Sequence, residues 1–497
     1  MTADQNTPVW LGVDLGTQSV RAVAVDETGR VAGAGTHPLR SHRDGPRHEQ
    51  DPEQWWDAVR VACRQAMAEI EPGRVRGLAV DATSGTILLA DAHGTPLTPG
   101  LMYDDARATA EASIVDGAGG EVWQELGYRR MQPSWALPKL VWLLRNRPEL
   151  AARRDVRLLH QADLVTWRLV GSPVPTDASH ALKTGYHLLA DRWPTEVLDV
   201  LGVAEHLLPP VVPPGTTLGV VGATAAAETG IPAGTPVIAG MTDGCAAQLG
   251  AGALDVGSWN SVLGTTLVLK GVSDHLVRDP AGVVYCHRGP AGTWLPGGAS
   301  SSGAGVLSRE FPDADLVELT ARAADRAPDA VAYPLASTGG ERFPFRAPDA
   351  EPFVLGDPGD QAGLFHAHLV GVACVERLCL DYLDSLGAPT DGALSLTGGG
   401  ARNPYWCQLR ADLLGRRVRL PEHTEAAHGM AVLAAASHFG GPAEAARAMV
   451  RVREVLDPRP ERTRRLLATY LRLVDELTRR GWLDAAVADH ARRRAEQ

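Results

Sequence analysis

Short runs of apolar and β-branched residues, broken by glycine turns, mark the first half of the chain. Over residues 9–36 these runs predict a β-meander with a turn at 26–29. Asp51 is a candidate helix cap, and the tryptophans that follow it suit an apolar helical stripe, so a helix is predicted to begin there. A buried strand is predicted over 75–80, and 134–200 is predicted to be a mostly helical insertion.

The second half repeats this alternation of strands and helices. A hairpin is predicted at 258–270, and a glycine- and serine-rich run at 297–305 precedes a predicted helix. A long helix is predicted over 363–386 and a strand over 394–396. The arginine-rich tail beyond residue 445 is predicted to be helical, with one face packed on the second half. Strands that alternate with helices in both halves indicate an α/β fold with two central sheets.

The tripeptide Leu-Gly-Thr occurs at 15–17 and again at 263–265, about half of the 497-residue chain apart. Each copy lies between two β-prone runs, which predicts a strand, a tight glycine turn and a second strand. The backbone N–H groups and threonine hydroxyl of such a turn form a cradle for phosphate. Two cradles indicate a duplicated fold that grips a nucleotide between two lobes. A carboxylate, Asp14, comes directly before the first tripeptide, whereas Val262 occupies the corresponding position before the second. This difference between the two copies favours a single active site.

Composition narrows the class of protein. A chain of this length exceeds one hydrophobic core, so two large domains are expected. The net charge of −11 argues against a nucleic-acid-binding surface, which requires a basic face. We expect no membrane span, because no run of about 18 uncharged apolar residues occurs. Residues 1–6 lack the features of a signal peptide, and the six cysteines lack Cys-x-x-Cys spacing, so a cytoplasmic protein with buried free thiols is predicted.

Asp14 and Asp243 are the candidate catalytic carboxylates. Asp14 precedes the first glycine turn, where it would hold Mg²⁺ through water while Thr17 and Gln18 line the phosphate path. An ordinary hairpin explains the same residues. Asp243 follows an apolar strand and precedes a helix, a position at which α/β folds place catalytic groups. It is interpreted as a general base that takes a proton from a substrate hydroxyl, and a helix cap is the alternative.

Three further polar segments are candidates for ligand contacts. The glycine-rich run at 398–403 would let the backbone approach a flat ring or a phosphate, although flexible turns share its composition. Segments 81–84 and 103–107 offer hydroxyls and carboxylates suited to a polyol, and capping or salt bridging explains them almost equally well. The chain lacks a Gly-x-x-x-x-Gly-Lys-[Ser/Thr] loop, a His-Glu-x-x-His motif and a Gly-x-Ser-x-Gly elbow. These absences argue against a P-loop kinase, a zincin and an α/β-hydrolase.

Taken together, these motifs make the chain resemble the FGGY family of carbohydrate kinases, within the actin-like ATPase superfamily, over nearly its full length. The resemblance rests on five ordered segments, 13–19, 139–143, 242–244, 263–266 and 397–403. It implies an α/β fold of two actin-like (ribonuclease H-like) ATPase domains, related by duplication, with a cleft between them. The implied domains are 8–250 for the sugar, the phosphates and the base, 251–445 for adenosine, and 446–497 as a helical extension.

Within this family the chain is similar to D-ribulose kinases of the cyanobacterial and plant-plastid type. The segments that carry this likeness are 80–86, 160–164, 181–186, 297–300 and 339–344. Xylulose kinases usually carry a Met-His pair, and glycerol kinases an Arg-Glu pair, where this chain has Thr83 and Ser84. One residue departs from the pattern, because Gln18 stands where the D-ribulose kinases commonly have serine.

The resemblance implies MgATP-dependent phosphorylation of the terminal hydroxyl of a ketopentose. D-ribulose is favoured, D-xylulose or another ketose or polyol is the alternative, and a non-catalytic sugar-sensing actin-like protein is the alternative of another class. Asp243 would be the catalytic base and would bind the sugar with Asp14 and Ser84, with Asp14 also facing the metal. The residues implied to bind ATP are Thr17, Gln18, Gly264, Thr265, Gly399, Gly400 and Asn403. The sequence leaves the oligomeric state open, a homodimer included, and indicates no nucleic-acid or membrane partner.

Overall fold

The computed structural model describes residues 7–324, 326, 329–335 and 339–496, and it divides into two compact units. Residues 1–6, on which the expected absence of a signal peptide rests, lie outside the described residues. The strands are β1 (Val9–Leu15), β2 (Ser19–Asp26), β3 (Val31–Pro38), β4 (His42–Asp44), β5 (Arg47–Gln50), β6 (Val75–Ala82), β7 (Ile87–Ala90), β8 (Gly100–Leu101), β9 (Arg157–His160), β10 (Thr176–Asp177), β11 (Val211–Val212), β12 (Thr217–Val220), β13 (Pro236–Ile238), β14 (Trp259–Leu263), β15 (Leu267–Gly271), β16 (Tyr285–Arg288), β17 (Trp294–Ala299), β18 (Val331–Tyr333), β19 (Phe353–Leu355), β20 (Leu394–Thr397), β21 (Val418–Pro421) and β22 (Val452–Leu456). The helices are α1 (Pro52–Met67), α2 (Thr109–Glu125), α3 (Ala136–Asn146), α4 (Pro148–Ala151), α5 (Gln161–Val170), α6 (Ala178–Ala181), α7 (Thr195–Leu201), α8 (Ala223–Thr229), α9 (Asp243–Gly250), α10 (Gly305–Glu310), α11 (Leu316–Ala324), α12 (Gln361–Ser385), α13 (Pro404–Leu414), α14 (Ala426–Phe439), α15 (Pro442–Met449), α16 (Pro460–Arg479) and α17 (Ala485–Glu496).

The first compact unit consists of residues up to Leu254 together with His287–Trp294 and His423–Arg451. Its main sheet has the strand order β12-β13-β6-β1-β2-β3. Strand β1 runs antiparallel to β2 and parallel to β6, and this register places Asp14 directly beside Asp81. The predicted meander over 9–36 is confirmed as β1 to β3, and the buried strand over 75–80 as β6.

Helix α1 packs against this sheet on β2 and β3 and begins as the sequence predicts. The Asp51 side chain accepts a hydrogen bond from the backbone N–H of Glu53 at 3.0 Å, and Pro52 fills the first turn, where its missing N–H costs nothing. Trp55 and Trp56 lie on the buried face. The cap and the apolar stripe therefore agree, which is why this helix could be predicted from local signals.

Helix α14 also belongs to the first unit and crosses β1 at very short range. A Cβ atom on Gly12 would lie 1.7 Å from the carbonyl oxygen of Ala427, so only glycine permits this approach. The first unit is consequently discontinuous in sequence, since residues 423–451 return to it. The predicted domains 8–250 and 251–445 are continuous segments and do not describe this return.

The second compact unit repeats the arrangement of the first around its own sheet, with the strand order β16-β17-β15-β14-β20-β21-β22. The hairpin of β14 and β15 is antiparallel and β20 lies parallel beside β14, as β6 lies beside β1. The two Leu-Gly-Thr turns occupy equivalent places in these hairpins. The predicted duplicated α/β architecture with two central sheets is confirmed.

Helix α12 is the core helix of the second unit and confirms the long helix predicted over 363–386. Its length and a mean hydropathy of 1.3 would suffice to span a membrane, but 94% of that stretch is buried inside the protein. The tail is only partly as predicted, because Val452–Leu456 forms the edge strand β22 on β21 before helices α16 and α17 follow. Four of the five residues of this strand are exposed, which is also typical of a solvated helix face.

The insertion at 134–200 also differs from its prediction in part. Helices α3 to α7 occupy much of it, but β9 pairs with β7 in a second, five-stranded sheet of the first unit, and β10 pairs with β11. The six cysteines are buried and free, as predicted. Their burial indicates packing rather than reactivity.

Lys139 of α3 is a buried titratable residue, so its packing can be tested by measuring how stability depends on pH. Its ammonium is fully buried and donates hydrogen bonds to the carbonyl oxygens of Met102 (2.7 Å) and Leu101 (3.3 Å). Burial lowers the pKa of Lys139 to about 7, although the charge of Asp105 opposes the shift. Between pH 7 and 8.5 the unfolded state therefore binds a proton that the folded state has released, so stability rises with pH.

We expect this rise to amount to about 1–2 kcal/mol over that interval and to be absent from Lys139→Met. The measurement is urea unfolding of both proteins at pH 7.0 and 8.5. Parallel pH profiles for the two proteins would show that Lys139 titrates as it does in the unfolded chain.

Candidate active site

The register of β1 and β6 brings two carboxyl groups, Asp14 and Asp81, side by side in the first unit. Burial raises the pKa of Asp14 to about 6. The charge of Asp243 also raises this pKa, whereas the hydrogen bond with Asp81 lowers it. Asp81 is completely buried, and burial together with the charges of Asp14 and Asp243 raises its pKa well above the ordinary value. Three acidic groups thus act on one another at this place, and the charge of Arg21 opposes the shift at Asp14.

These carboxylates fit a divalent cation. Apart from the hydrogen bond with Asp14, neither carboxylate oxygen of Asp81 has a hydrogen-bond partner in the described part of the chain. Buried acceptors of this kind are costly unless a cation or a proton satisfies them. No group of three His, Cys, Asp or Glu residues among the described residues could hold a metal by itself. Mg²⁺ is usually held by one or two carboxylates with water and phosphate completing the shell, and Asp14 and Asp81 would supply those carboxylates.

Asp243 lies next to this pair because Thr242, the residue before it, forms a parallel bridge with Ala82 at the end of β6. Thr242 is the N-cap of α9 and Asp243 is the first residue of the helix, so the alternative that Asp243 is the cap does not hold. The Thr242 backbone N–H donates to the Ser179 hydroxyl at 2.9 Å. Among the described residues the Asp243 side chain accepts one hydrogen bond, from the N–H of Gly244 at 2.8 Å. A carboxylate held this way can accept a further proton from a ligand.

The first glycine turn joins β1 to β2 and is fixed from both sides. The Gly16 N–H donates to the Ser19 carbonyl at 3.1 Å, and the Thr17 carbonyl accepts from the Gln50 side chain at 2.7 Å. Gln18 is exposed, and its backbone carbonyl accepts a hydrogen bond from the N–H of Leu39 at 2.8 Å. The expected phosphate contacts of Thr17 and Gln18 stay predictions.

Tyr103, the first residue of the candidate segment 103–107, faces this turn. Its hydroxyl hydrogen-bonds with Thr17, and burial and the charges of Asp104 and Asp243 raise the pKa of Tyr103. The rest of segment 103–107 is used in ion pairs instead, since Asp105 accepts from Arg107 at 2.6 Å. For these residues salt bridging is the better of the two interpretations that the sequence leaves open.

The second glycine turn is built within the second unit. The Gly264 N–H donates to the Thr266 carbonyl at 3.0 Å, while the carbonyls of Gly264 and Thr265 accept from Ala304 (2.9 Å) and Gly305 (3.0 Å). The Cα of Gly264 faces open space, because a Cβ there would meet nothing closer than 3.8 Å. This turn therefore presents backbone without a side chain in front of it.

The glycine-rich run after β20 combines two tight positions with one open position. A Cβ on Gly398, whose φ is +81°, would lie 2.6 Å from the Leu263 carbonyl oxygen, and one on Gly400 would lie 2.4 Å from the Leu263 side chain. A Cβ on Gly399 would meet nothing within 4 Å. Asn403 caps α13: its Oδ1 accepts from the N–H of Trp406 and its Nδ2 donates to Thr320. The Cα of Gly399 is thus open, whereas that of Gly400 packs against Leu263, and contacts of both glycines with ATP stay predictions.

These two glycines give a paired prediction. Gly400→Ala should lower the free energy of unfolding by about 1–3 kcal/mol because it overpacks Leu263. Gly399→Ala should leave stability within about 0.5 kcal/mol and raise the KM for ATP. Chemical denaturation and ATP-dependent kinetics of both variants separate these effects, and equal losses of stability would contradict the distinction.

Ser84 lies just beyond β6, beside a pair of buried side chains. The Thr83 hydroxyl donates to Gln161 Oε1 at 2.9 Å, and the Ser84 carbonyl accepts from Lys183 Nζ at 3.1 Å. The Ser84 hydroxyl itself is buried with no partner among the described residues. Asp14, Ser84 and Asp243, chosen from sequence, are therefore gathered around the end of β6.

Comparison with known proteins agrees with this geometry. The model of the FGGY family of carbohydrate kinases matches residues 9–250 through its N-terminal domain and 259–438 through its C-terminal domain. A xylulose kinase of Streptomyces coelicolor is 33% identical over 87% of this chain and 88% of that protein. A xylulose kinase of Escherichia coli K12 is 28% identical over 82% of this chain and 86% of that protein. The crystal structure of a xyloylose kinase from Brucella ovis matches with a TM-score of 0.85 and 27% identity, covering 93% of this chain and 97% of that one.

Proposed function

The chain belongs to the FGGY family of carbohydrate kinases and is a sugar kinase with ATP as co-substrate, and we propose that it phosphorylates the terminal hydroxyl of a ketopentose, with D-ribulose preferred. The observation that carries this proposal is the cluster at the end of β6. There Asp14 is paired with Asp81, Thr242 bridges Ala82 just before Asp243, and the Ser84 hydroxyl has no partner among the described residues.

Asp243 is the group that removes the proton from the attacking hydroxyl. It holds a single hydrogen bond among the described residues, to its neighbour Gly244, so its carboxylate is available to a sugar hydroxyl. A positioned general base contributes a factor of about 10²–10⁴ in rate. The hydroxyl oxygen then attacks the γ-phosphorus of ATP and ADP leaves. Most of the remaining acceleration comes from alignment of the two substrates.

Asp14 and Asp81 would hold Mg²⁺ on the same side of the sheet. When bound, the ion supplies positive charge to the phosphates of ATP. The protein's own contribution is to pair the two carboxyl groups in the register of β1 and β6, where burial raises the pKa of both, although the charge of Arg21 lowers that of Asp14.

D-xylulose is the second candidate substrate, because the similar proteins carry the name xylulose kinase. D-ribulose is preferred because Thr83 and Ser84 stand where xylulose kinases usually have a Met-His pair, and the two ketopentoses differ in the configuration of one hydroxyl. The Ser84 hydroxyl is buried and has no partner among the described residues. It is therefore the group that would hydrogen-bond with the sugar hydroxyl at which the two ketopentoses differ. A cytoplasmic location stays a prediction from the sequence, and the oligomeric state stays open.

The test is ADP release from MgATP with D-ribulose, D-xylulose, L-ribulose, L-xylulose, ribitol and glycerol. We expect the highest kcat/KM with D-ribulose, and a Ser84→Ala variant that loses the preference over D-xylulose. A preference for D-xylulose in the unaltered protein would replace the substrate and keep the kinase. Absence of sugar-stimulated release from the whole panel would contradict the proposed ketopentose substrate.

A further inference from the structure

Buried polar atoms without partners concentrate around the end of β6. Besides Asp81 and Ser84, the side chains of Gln161 and His180 each carry one such nitrogen in the described part of the chain. Both residues are 0% exposed. A buried donor without an acceptor costs free energy, so a cluster of them indicates that a ligand completes their hydrogen bonds.

Gln161 presents donors to this position. Its Oε1 already accepts from the Thr83 hydroxyl at 2.9 Å, and its backbone N–H donates to the Thr86 carbonyl at 3.2 Å. The amide is thereby oriented, with Nε2 and its two N–H bonds on the side that has no partner. As the first residue of α5, Gln161 is anchored to the loop that follows β6.

His180 presents a second donor. Its Nδ1 lies 2.5 Å from Asp177 Oδ2, and because a carboxylate only accepts, Nδ1 carries a proton there. Burial lowers the pKa of His180, but the charge and hydrogen bond of Asp177, with the charges of Asp163 and Asp243, raise it above the ordinary value. These neighbours favour the protonated ring, in which Nε2 is a donor as well. Ser179, the neighbouring residue, accepts from Thr242 N–H, which fixes this short helix beside Asp243.

We propose that Gln161 and His180 are specificity-determining residues that donate hydrogen bonds to the carbonyl oxygen of an open-chain ketose, so that the enzyme selects ketopentoses over pentitols. This inference rests on the proposed function and deepens it. A ketone oxygen accepts two hydrogen bonds and donates none, which complements two donors. A hydroxyl at the same carbon brings its own hydrogen and changes the geometry from trigonal to tetrahedral.

The experiment compares kcat/KM for D-ribulose with kcat/KM for ribitol, which has a hydroxyl in place of the carbonyl. Gln161→Met removes the amide at nearly constant size, and His180→Phe removes the ring nitrogens. Gln65→Met is the matched control, since Gln65 is an exposed glutamine that accepts from Thr36 N–H. Thermal unfolding of each protein accompanies the kinetics.

We expect the unaltered protein to prefer D-ribulose over ribitol, and Gln161→Met to reduce that preference about tenfold, mainly through KM for the ketose. His180→Phe should act in the same direction, and Gln65→Met should leave the preference unchanged. If both site variants slow D-ribulose and ribitol by the same factor, or if the unaltered protein shows no preference, the two residues do not read the carbonyl. That result leaves the kinase intact, whereas failure of every ketopentose as a substrate removes the proposed function and this inference together.

Discussion

Asp243→Asn is expected to lower sugar-stimulated ADP release by about 10²–10⁴-fold while the fold and the binding of ATP are retained. The reason is chemical, because asparagine keeps the shape of the side chain but cannot take a proton from the sugar hydroxyl. Thr242, whose N–H donates to the Ser179 hydroxyl, holds the backbone before Asp243 in place. The Asp243 side chain accepts a hydrogen bond from the N–H of Gly244, and the amide oxygen of asparagine can accept the same bond.

Steady-state ADP release with D-ribulose, and ATP binding by calorimetry, measure the two parts of this expectation. Asp199→Asn is a suitable control, since Asp199 is an exposed aspartate on α7 and should leave turnover unchanged. Full activity of Asp243→Asn would show that another group removes the proton. Loss of ATP binding together with activity would point to a damaged fold.

The second large effect is expected on stability, at the ion pair between Glu376 of α12 and Arg410 of α13. Both side chains are 0% exposed, with Arg410 Nε 2.6 Å and Nη2 2.7 Å from the two carboxylate oxygens. Nη2 also donates to the Ser261 hydroxyl on β14 at 2.8 Å, two residues before the second glycine turn. Glu376→Gln leaves a buried guanidinium without its counter-charge and should lower the free energy of unfolding by about 3–5 kcal/mol.

The matched control is Asp457→Asn, which breaks an exposed pair with Arg417. Both partners there are about two-thirds exposed, at 66% and 65%, so the expected loss is at most about 1 kcal/mol. Urea unfolding followed by tryptophan fluorescence compares the two variants. Similar small losses from both would mean that the buried pair contributes little beyond what an apolar pair would give.

Local signals were sufficient for much of the fold. The meander, the helix capped by Asp51, the two glycine turns and the long helix α12 each combine an apolar pattern with a capping or turn residue, and all are confirmed. Asp14 could be chosen because it lies at the end of an apolar strand beside a glycine turn, and Asp243 because it follows an apolar strand. That position at a strand end is a local property that survives folding.

What the sequence could not predict depends on contacts between distant segments. Asp81 becomes part of the site only through its register with Asp14, and His180 through the hydrogen bond that links its short helix to Thr242. Helix α14 packs on β1 although more than 400 residues separate them in the chain. Gly12 permits this close approach, but a glycine alone does not predict which distant helix will pack there. Strand β22 was missed because four of its five residues are exposed on a sheet edge, where periodicity favours no buried face.

The most direct test of the central claim is detection of the product. Purified protein, MgATP and D-ribulose are incubated and followed by ³¹P NMR, which resolves a sugar phosphomonoester from ADP and inorganic phosphate. We predict one equivalent of D-ribulose 5-phosphate for each ADP formed, with little inorganic phosphate. ADP accompanied by equal inorganic phosphate and no phosphomonoester, or no turnover at all, would contradict the account.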